Sequence, residues 1–111
     1  MDAGIKIVEY SDQYQQGFKS LNLEWLDKYS LTESHDLEVL NDPQGTILDK
    51  GGFIWLALDD NKLIGSAALA KEHEGEFELA KMAVTSTYRG RGISKLLIET
   101  CLQKAKEIGA K

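Results

Sequence analysis

Three apolar, β-rich runs follow one another with almost nothing between them: FIWLALD from Phe53, LIGSAALAKEH from Leu63 and FELAKMAV from Phe77. The first connection is the cluster Asp59-Asp60-Asn61-Lys62 and the second is HEGEF. A parallel pair needs a crossover of a dozen or more residues, so connections this short force antiparallel pairing, and the three runs form a meander. The rest of the chain must pack on that meander.

Upstream, IKIVEY (Ile5 to Tyr10) has the β-branched content of a strand and stops at Ser11-Asp12, both good N-caps. Tyr14, Phe18, Leu21 and Trp25 then recur at helical spacing, which predicts an amphipathic helix from about Asp12 to Lys28. In LTESHDLEVLNDPQG, a Thr32 cap, Leu37 and Leu40 predict a short second helix that ends by Asn41, because Asp42-Pro43 disfavours its continuation. Ile93, Leu96, Leu97 and Cys101 set the period of a last helix from about Gly92 to Ile108. The expected order is β-α-α-β-β-β-α, an α/β fold.

A chain of 111 residues fits one domain, 1–111. With 13 Lys plus Arg against 18 Asp plus Glu, its net charge of −5 argues against a surface built for nucleic acid. Cys101 is the sole cysteine, so there is no internal disulfide, and no Cys/His spacing resembles a zinc site. MDAGIKIVEY lacks the basic start and apolar core of a signal peptide, and no run approaches 18 apolar residues. A cytoplasmic protein without a membrane partner is expected.

Arg89-Gly90-Arg91-Gly92 stands where the third run gives way to the last helix. A helix start offers unpaired N–H groups and the positive end of the dipole, glycines let successive amides converge, and arginines add charge, which together suit a pyrophosphate. On spacing alone, glycines that only turn the chain beside solvated arginines fit as well. The P-loop pattern fails, since no glycine lies five residues before a Gly-Lys pair. The dinucleotide pattern GxGxxG meets only Gly90 and Gly92, has Lys95 at its third position and lacks the required βαβ context. Arg89-x-x-Gly92-x-Ser94, between ELAKMAV and ISKLL, resembles the [QR]-x-x-G-x-[GA] coenzyme A loop of the GNAT superfamily of N-acetyltransferases. Ser94 departs from the usual Gly or Ala but is small. The element order and the stretches LNLEWLDKY, DPQGTILDKGG and FELAKMAV extend the resemblance over the whole chain.

The resemblance implies a GNAT-like sheet and acetyl-CoA as cosubstrate. It implies acetyl transfer to a primary amine, on a small molecule or a protein, by direct attack in a ternary complex; the alternative is a non-catalytic coenzyme A-binding module or a truncated inactive form. By the same resemblance, the backbone of Met82, Ala83 and Val84 receives the acetyl and pantetheine groups. The stretch Arg89, Gly90, Arg91, Gly92, Ile93, Ser94 and Lys95 holds the pyrophosphate. Glu78 occupies the place of a general base in some members. Strict period-two alternation puts Glu78, Ala80, Met82 and Val84 on one face, with Glu78 roughly 13 Å from Met82, so that a water relay would be needed. A carboxylate paired with a cross-strand lysine is the alternative for Glu78.

His35 lies in the helix region that the resemblance places beside the acceptor pocket, with a solvated helix histidine as the favoured alternative; of the aromatics near that pocket, Tyr29 is the better candidate, Trp25 is expected to pack inside, and Trp55 fits either pocket or core. His73 is expected at the surface and Cys101 in the core. KEIGAK falls where a GNAT chain enters its fifth strand. A truncated form or a second polypeptide completing the sheet is therefore expected, and the edge left by the fourth strand favours self-association as a homo-oligomer.

Overall fold

A computed structural model of the chain describes residues 5–28, 34–73, 75–88 and 90–109. The elements run β1 (Ile5–Glu9), α1 (Gln15–Lys28), α2 (Ser34–Asn41), β2 (Phe53–Asp59), β3 (Lys62–His73), β4 (Glu76–Val84) and α3 (Ile93–Glu107). The expected order is met. The four strands form one sheet in the order β1-β2-β3-β4, every neighbouring pair antiparallel. Thr32 and Tyr29 lie outside the described residues, as do the side chains of Trp25, His35 and His73.

β2 is apolar at nearly every position because helices cover both of its faces. Ile54, Leu56 and Ala68 of the sheet meet Phe18 of α1 and Leu40 of α2 on one side. On the other, Trp55, Ala57, Ala67 and Leu69 meet Ile93, Leu97 and Cys101 of α3. Phe18, Leu40, Leu56 and Leu97 have no exposed surface, and burying each contributes about 1.5–3 kcal/mol. α3 comes close to β3 at Gly65, where an added Cβ would lie 3.1 Å from Leu97 Cδ1 and 3.3 Å from Ile93 Cγ2.

One local feature departs from the sequence reading and another adds to it. The first turn of the expected helix at Asp12 is a 3₁₀ turn, Asp12–Tyr14, and Ser11 makes no side-chain capping bond. α2 ends at Asn41 as expected, and after Asp42-Pro43 the chain makes a wide turn over Gln44–Leu48, with the Asp49 amide donating to the Gln44 carbonyl at 2.8 Å. Asp42 organises that turn, accepting Gly45 N–H at its carboxylate at 3.0 Å and Thr46 Oγ1 at its carbonyl at 2.6 Å. Among the described residues, no helix is long and apolar enough to cross a membrane.

Candidate active site

β4 does not alternate strictly. Ser66 pairs with Ala83 and Ala68 with Ala80, so three residue steps along β4 match two along β3, and Lys81 takes φ 48 at the insertion. An extra residue in a strand reverses the facing of everything beyond it. The expectation that Glu78, Ala80, Met82 and Val84 share one face is thereby corrected. Met82 and Val84 pack in the core beneath α3, and so does Phe77, which the alternation had placed on the opposite side from them. Glu78 and Ala80, paired with Ala70 and Ala68, belong to the α2 side. The bulge thus points the two halves of β4 into different clefts.

The first cleft, of about 230 Å³, lies between the end of β4 and the start of α3. Met82, Ala83 and Val84 form its strand side, Tyr88 and Gly90 its turn, and Ile93 and Ser94 its helix side. Gly90 (φ 80) and Gly92 (φ 79) both take the left-handed conformation that glycine adopts without steric cost. Gly92 caps α3 and no side chain does, while the first helical bond runs from Leu96 N–H to the Gly92 carbonyl at 3.2 Å. The amides of Ile93, Ser94 and Lys95 therefore stand at the helix start without an intrahelical acceptor. The first turn carries no acidic residue and the last turn carries Lys104 and Lys106, so the dipole at the cleft is left to favour an anion.

Two ties fix this turn to the sheet and to α1. Tyr88 Oη donates to Asp59 Oδ2 at 2.5 Å, and the Arg91 guanidinium sits 4.9 Å from the Tyr88 ring centroid. Glu24 on α1 accepts Thr85 Oγ1 at 2.9 Å and the Ser86 amide at 3.1 Å. Tyr88 is the lining residue that the sequence reading did not assign to the site; its signal was an aromatic immediately before the glycine-arginine run. Arg91 and Gly92 belong to the same turn and Lys95 to the start of α3, all three exposed, and Arg89 lies outside the described residues.

A second cleft of about 380 Å³ opens on the other face of the sheet. Its walls come from α2 (Glu38, Val39), the wide turn (Thr46, Ile47), Lys50 just after it, and β3 and β4. Glu78 and Ala80 line it, and Lys71, Glu72 and Lys81 add charge of both signs. A small recess of about 160 Å³ beside the bulge is bounded by Asn22, Leu26, Lys81 and Met82. Met82 thus borders both this recess and the first cleft. Trp55 is core, stacked on Phe53 at 5.8 Å between centroids. Cys101 is 1% exposed and burial pushes its thiol up to about 11, so it offers no thiolate to a substrate. Among the described residues no group of three or more His, Cys, Asp or Glu side chains could hold a metal.

The family model described as "Acetyltransferase (GNAT) family" matches residues 14–111. N-acetylaspartate synthetase of Xenopus tropicalis is 39% identical over 56 residues, 50% of this chain and 21% of that protein. A GNAT-family acetyltransferase from Staphylococcus aureus Mu50 superposes with a TM-score of 0.83 at 25% identity, covering 93% of this chain and 66% of that one. A GNAT-family acetyltransferase from Brucella melitensis, solved with acetyl-CoA, shares the fold at a TM-score of 0.80 and 17% identity, over 96% of this chain and 71% of that one. The chain therefore spans about a fifth of the curated relative's length and two thirds of the first structure's.

Proposed function

The chain belongs to the GNAT acetyltransferase family, and on that premise we propose that it binds acetyl-CoA in the first cleft and transfers the acetyl group to a primary amine. The observation that carries the reading is the junction of a bulged strand end with a glycine-capped helix start that has no side-chain cap, in one cleft. The pyrophosphate lies on the amides of Gly90, Gly92, Ile93, Ser94 and Lys95, with Arg89 and Arg91 adding charge. The pantetheine arm and acetyl group run along the backbone of Met82, Ala83 and Val84, whose side chains only pack.

The acceptor enters from the second cleft and reaches the cosubstrate around the open edge of β4. Its nitrogen attacks the thioester carbonyl carbon, the C–S bond breaks, and coenzyme A leaves as the thiolate. Glu78 takes the ammonium proton through ordered water, since it lies beyond the bulge from Met82. Transfer is direct. The burial and raised pKa of Cys101, the one cysteine of the chain, support a mechanism without an acyl-cysteine.

Residues 1–111 act as one domain, and a reducing compartment such as the cytoplasm suits the unpaired Cys101. β4 is an edge strand among the described residues and carries Leu79 44% exposed, which favours self-association along that edge. The test is a melt with and without coenzyme A, followed by thiol release with a panel of primary amines. Ligand at 100 times its dissociation constant adds about 2.7 kcal/mol to stability. An unchanged melt at millimolar coenzyme A would overturn the site. Binding without thiol release from any amine would leave a coenzyme A-binding module in place of a transferase.

A further inference from the structure

Asn22 and Ser66 are the buried polar side chains of the core among the described residues, 4% and 0% exposed. Neither position demands a polar residue. Ser66 stands in the run GSAALA, where alanine would pack as well, and Asn22 lies inside α1, where asparagine is a weaker helix former than its neighbours. Their hydrogen bonds explain them. Ser66 Oγ donates to the Lys81 carbonyl at 2.7 Å, and Asn22 Nδ2 donates to Ser66 Oγ at 3.2 Å and to the Phe18 carbonyl at 2.9 Å. The donation from Asn22 fills the acceptor side of the serine hydroxyl and turns its proton toward Lys81.

Lys81 is the residue inserted in the β4 bulge, and its φ of 48 is left-handed without glycine's freedom. Such a conformation persists only where the surroundings over-determine it, and the chain of bonds from α1 through β3 to the Lys81 carbonyl does so. The next residue, Met82, borders the first cleft on one side and the Asn22-lined recess on the other. The geometry of the bulge therefore sets where the Met82 to Val84 amides lie, and the buried bonds set the geometry of the bulge.

We propose that Asn22 and Ser66 are positioning residues, a buried latch on the Lys81 carbonyl that holds the β4 bulge in register with the thioester carbonyl of acetyl-CoA. The inference rests on the cosubstrate site proposed above. Most of the affinity for coenzyme A resides on the turn before α3 and the smaller part on the pantetheine contacts at Met82 to Val84, so loss of the latch removes polarisation of the acetyl carbonyl while affinity for coenzyme A changes only slightly.

The experiment monitors the carbonyl resonance of acetyl-CoA labelled with carbon-13 at the thioester carbonyl, alongside calorimetric binding of coenzyme A. With wild-type protein the resonance moves downfield on binding. Ser66→Ala, which removes the hydroxyl without adding volume, should return it at least halfway to the free position while the coenzyme A dissociation constant changes less than about threefold. Asn22→Ala should act in the same direction to a smaller extent, and it decides the matter if Ser66→Ala does not fold. Ile54→Val, a destabilising core change away from the latch, should leave the resonance at its wild-type position. A Ser66→Ala resonance equal to wild type overturns the latch, as does one displaced equally by Ile54→Val. Wild-type binding with an unmoved resonance also overturns it while the cosubstrate site survives. Wild-type protein that binds neither ligand overturns both.

Discussion

Tyr88 Oη donates a 2.5 Å hydrogen bond to the Asp59 carboxylate, joining the turn before α3 to the end of β2, 29 residues earlier in the chain. The same ring carries the Arg91 guanidinium on its face. One side chain thus fixes the height of the turn and the position of a cation above it. Tyr88→Phe keeps the ring and deletes the bond. The expected loss is about 1–2 kcal/mol, given the charged acceptor and partial burial, and it lowers Tm by several degrees in a domain of this size. Coenzyme A affinity should fall with it. Thermal melts and calorimetry check both, and an unchanged Tm would show that the bond contributes nothing in solution.

The backbone of the turn is expected to matter more than its exposed charge. Gly92→Val forces a β-branched residue into φ 79 at the helix cap and should abolish the stabilisation of the protein by coenzyme A. Arg91→Ala should only weaken it, roughly three- to tenfold in dissociation constant. If Arg91→Ala were the more damaging change, side-chain charge and not the amides would hold the pyrophosphate.

Glu78→Gln separates the two clefts functionally. Because Glu78 lies on the opposite side of the sheet from Met82 and Val84, coenzyme A affinity should be unchanged. Turnover with the acceptor should fall by about 10²–10⁴-fold if the carboxylate accepts the amine proton. Wild-type turnover in the variant would remove Glu78 from the mechanism and leave it as a surface carboxylate.

Cys101 should be inert in the native protein. Burial alone raises its thiol from the ordinary 9.0 to about 11, so the folded state keeps the proton longer than the unfolded chain does. The associated stability is complete below pH 9 and is lost progressively as pH rises toward 11, in total on the order of 2–3 kcal/mol. Urea melts across that range read the loss, and Cys101→Ala or Cys101→Ser should flatten it. Fast labelling by a thiol reagent at pH 8 without denaturant would contradict the burial.

The strands, the helices and the glycine-arginine turn were all legible because each is carried by local signals: short connections, apolar period and glycine at a helix mouth. The bulge was not. It is formed at a lysine, a residue with no preference for left-handed backbone, and the hydrogen bonds that meet it come from Ser66 and, through Ser66, from Asn22, 15 and 59 residues away along the chain. Strict alternation therefore misplaced Glu78 and Ala80 relative to Met82. The wide turn after Pro43 escaped for a related reason, since proline signals the end of α2 but carries no information about how the Asp42 carboxylate folds Gln44 to Leu48 around itself. Tyr88 was visible as an aromatic beside the turn, but its partner Asp59 lies across the sheet and no local pattern connects them.

Because one inserted residue divides β4, the two ends of the strand can change for different reasons. Substitutions before Lys81 remodel the charged cleft against α2 without touching a residue of the glycine turn, and substitutions after it do the reverse. A library built at Glu78, Ala80, Glu38 and Lys50 would therefore vary the second cleft and leave the lining of the first unchanged. Deleting Lys81 would do what no such library does: restored alternation would turn Glu78 and Ala80 toward α3 or Met82 and Val84 toward α2, and neither cleft would keep its own wall.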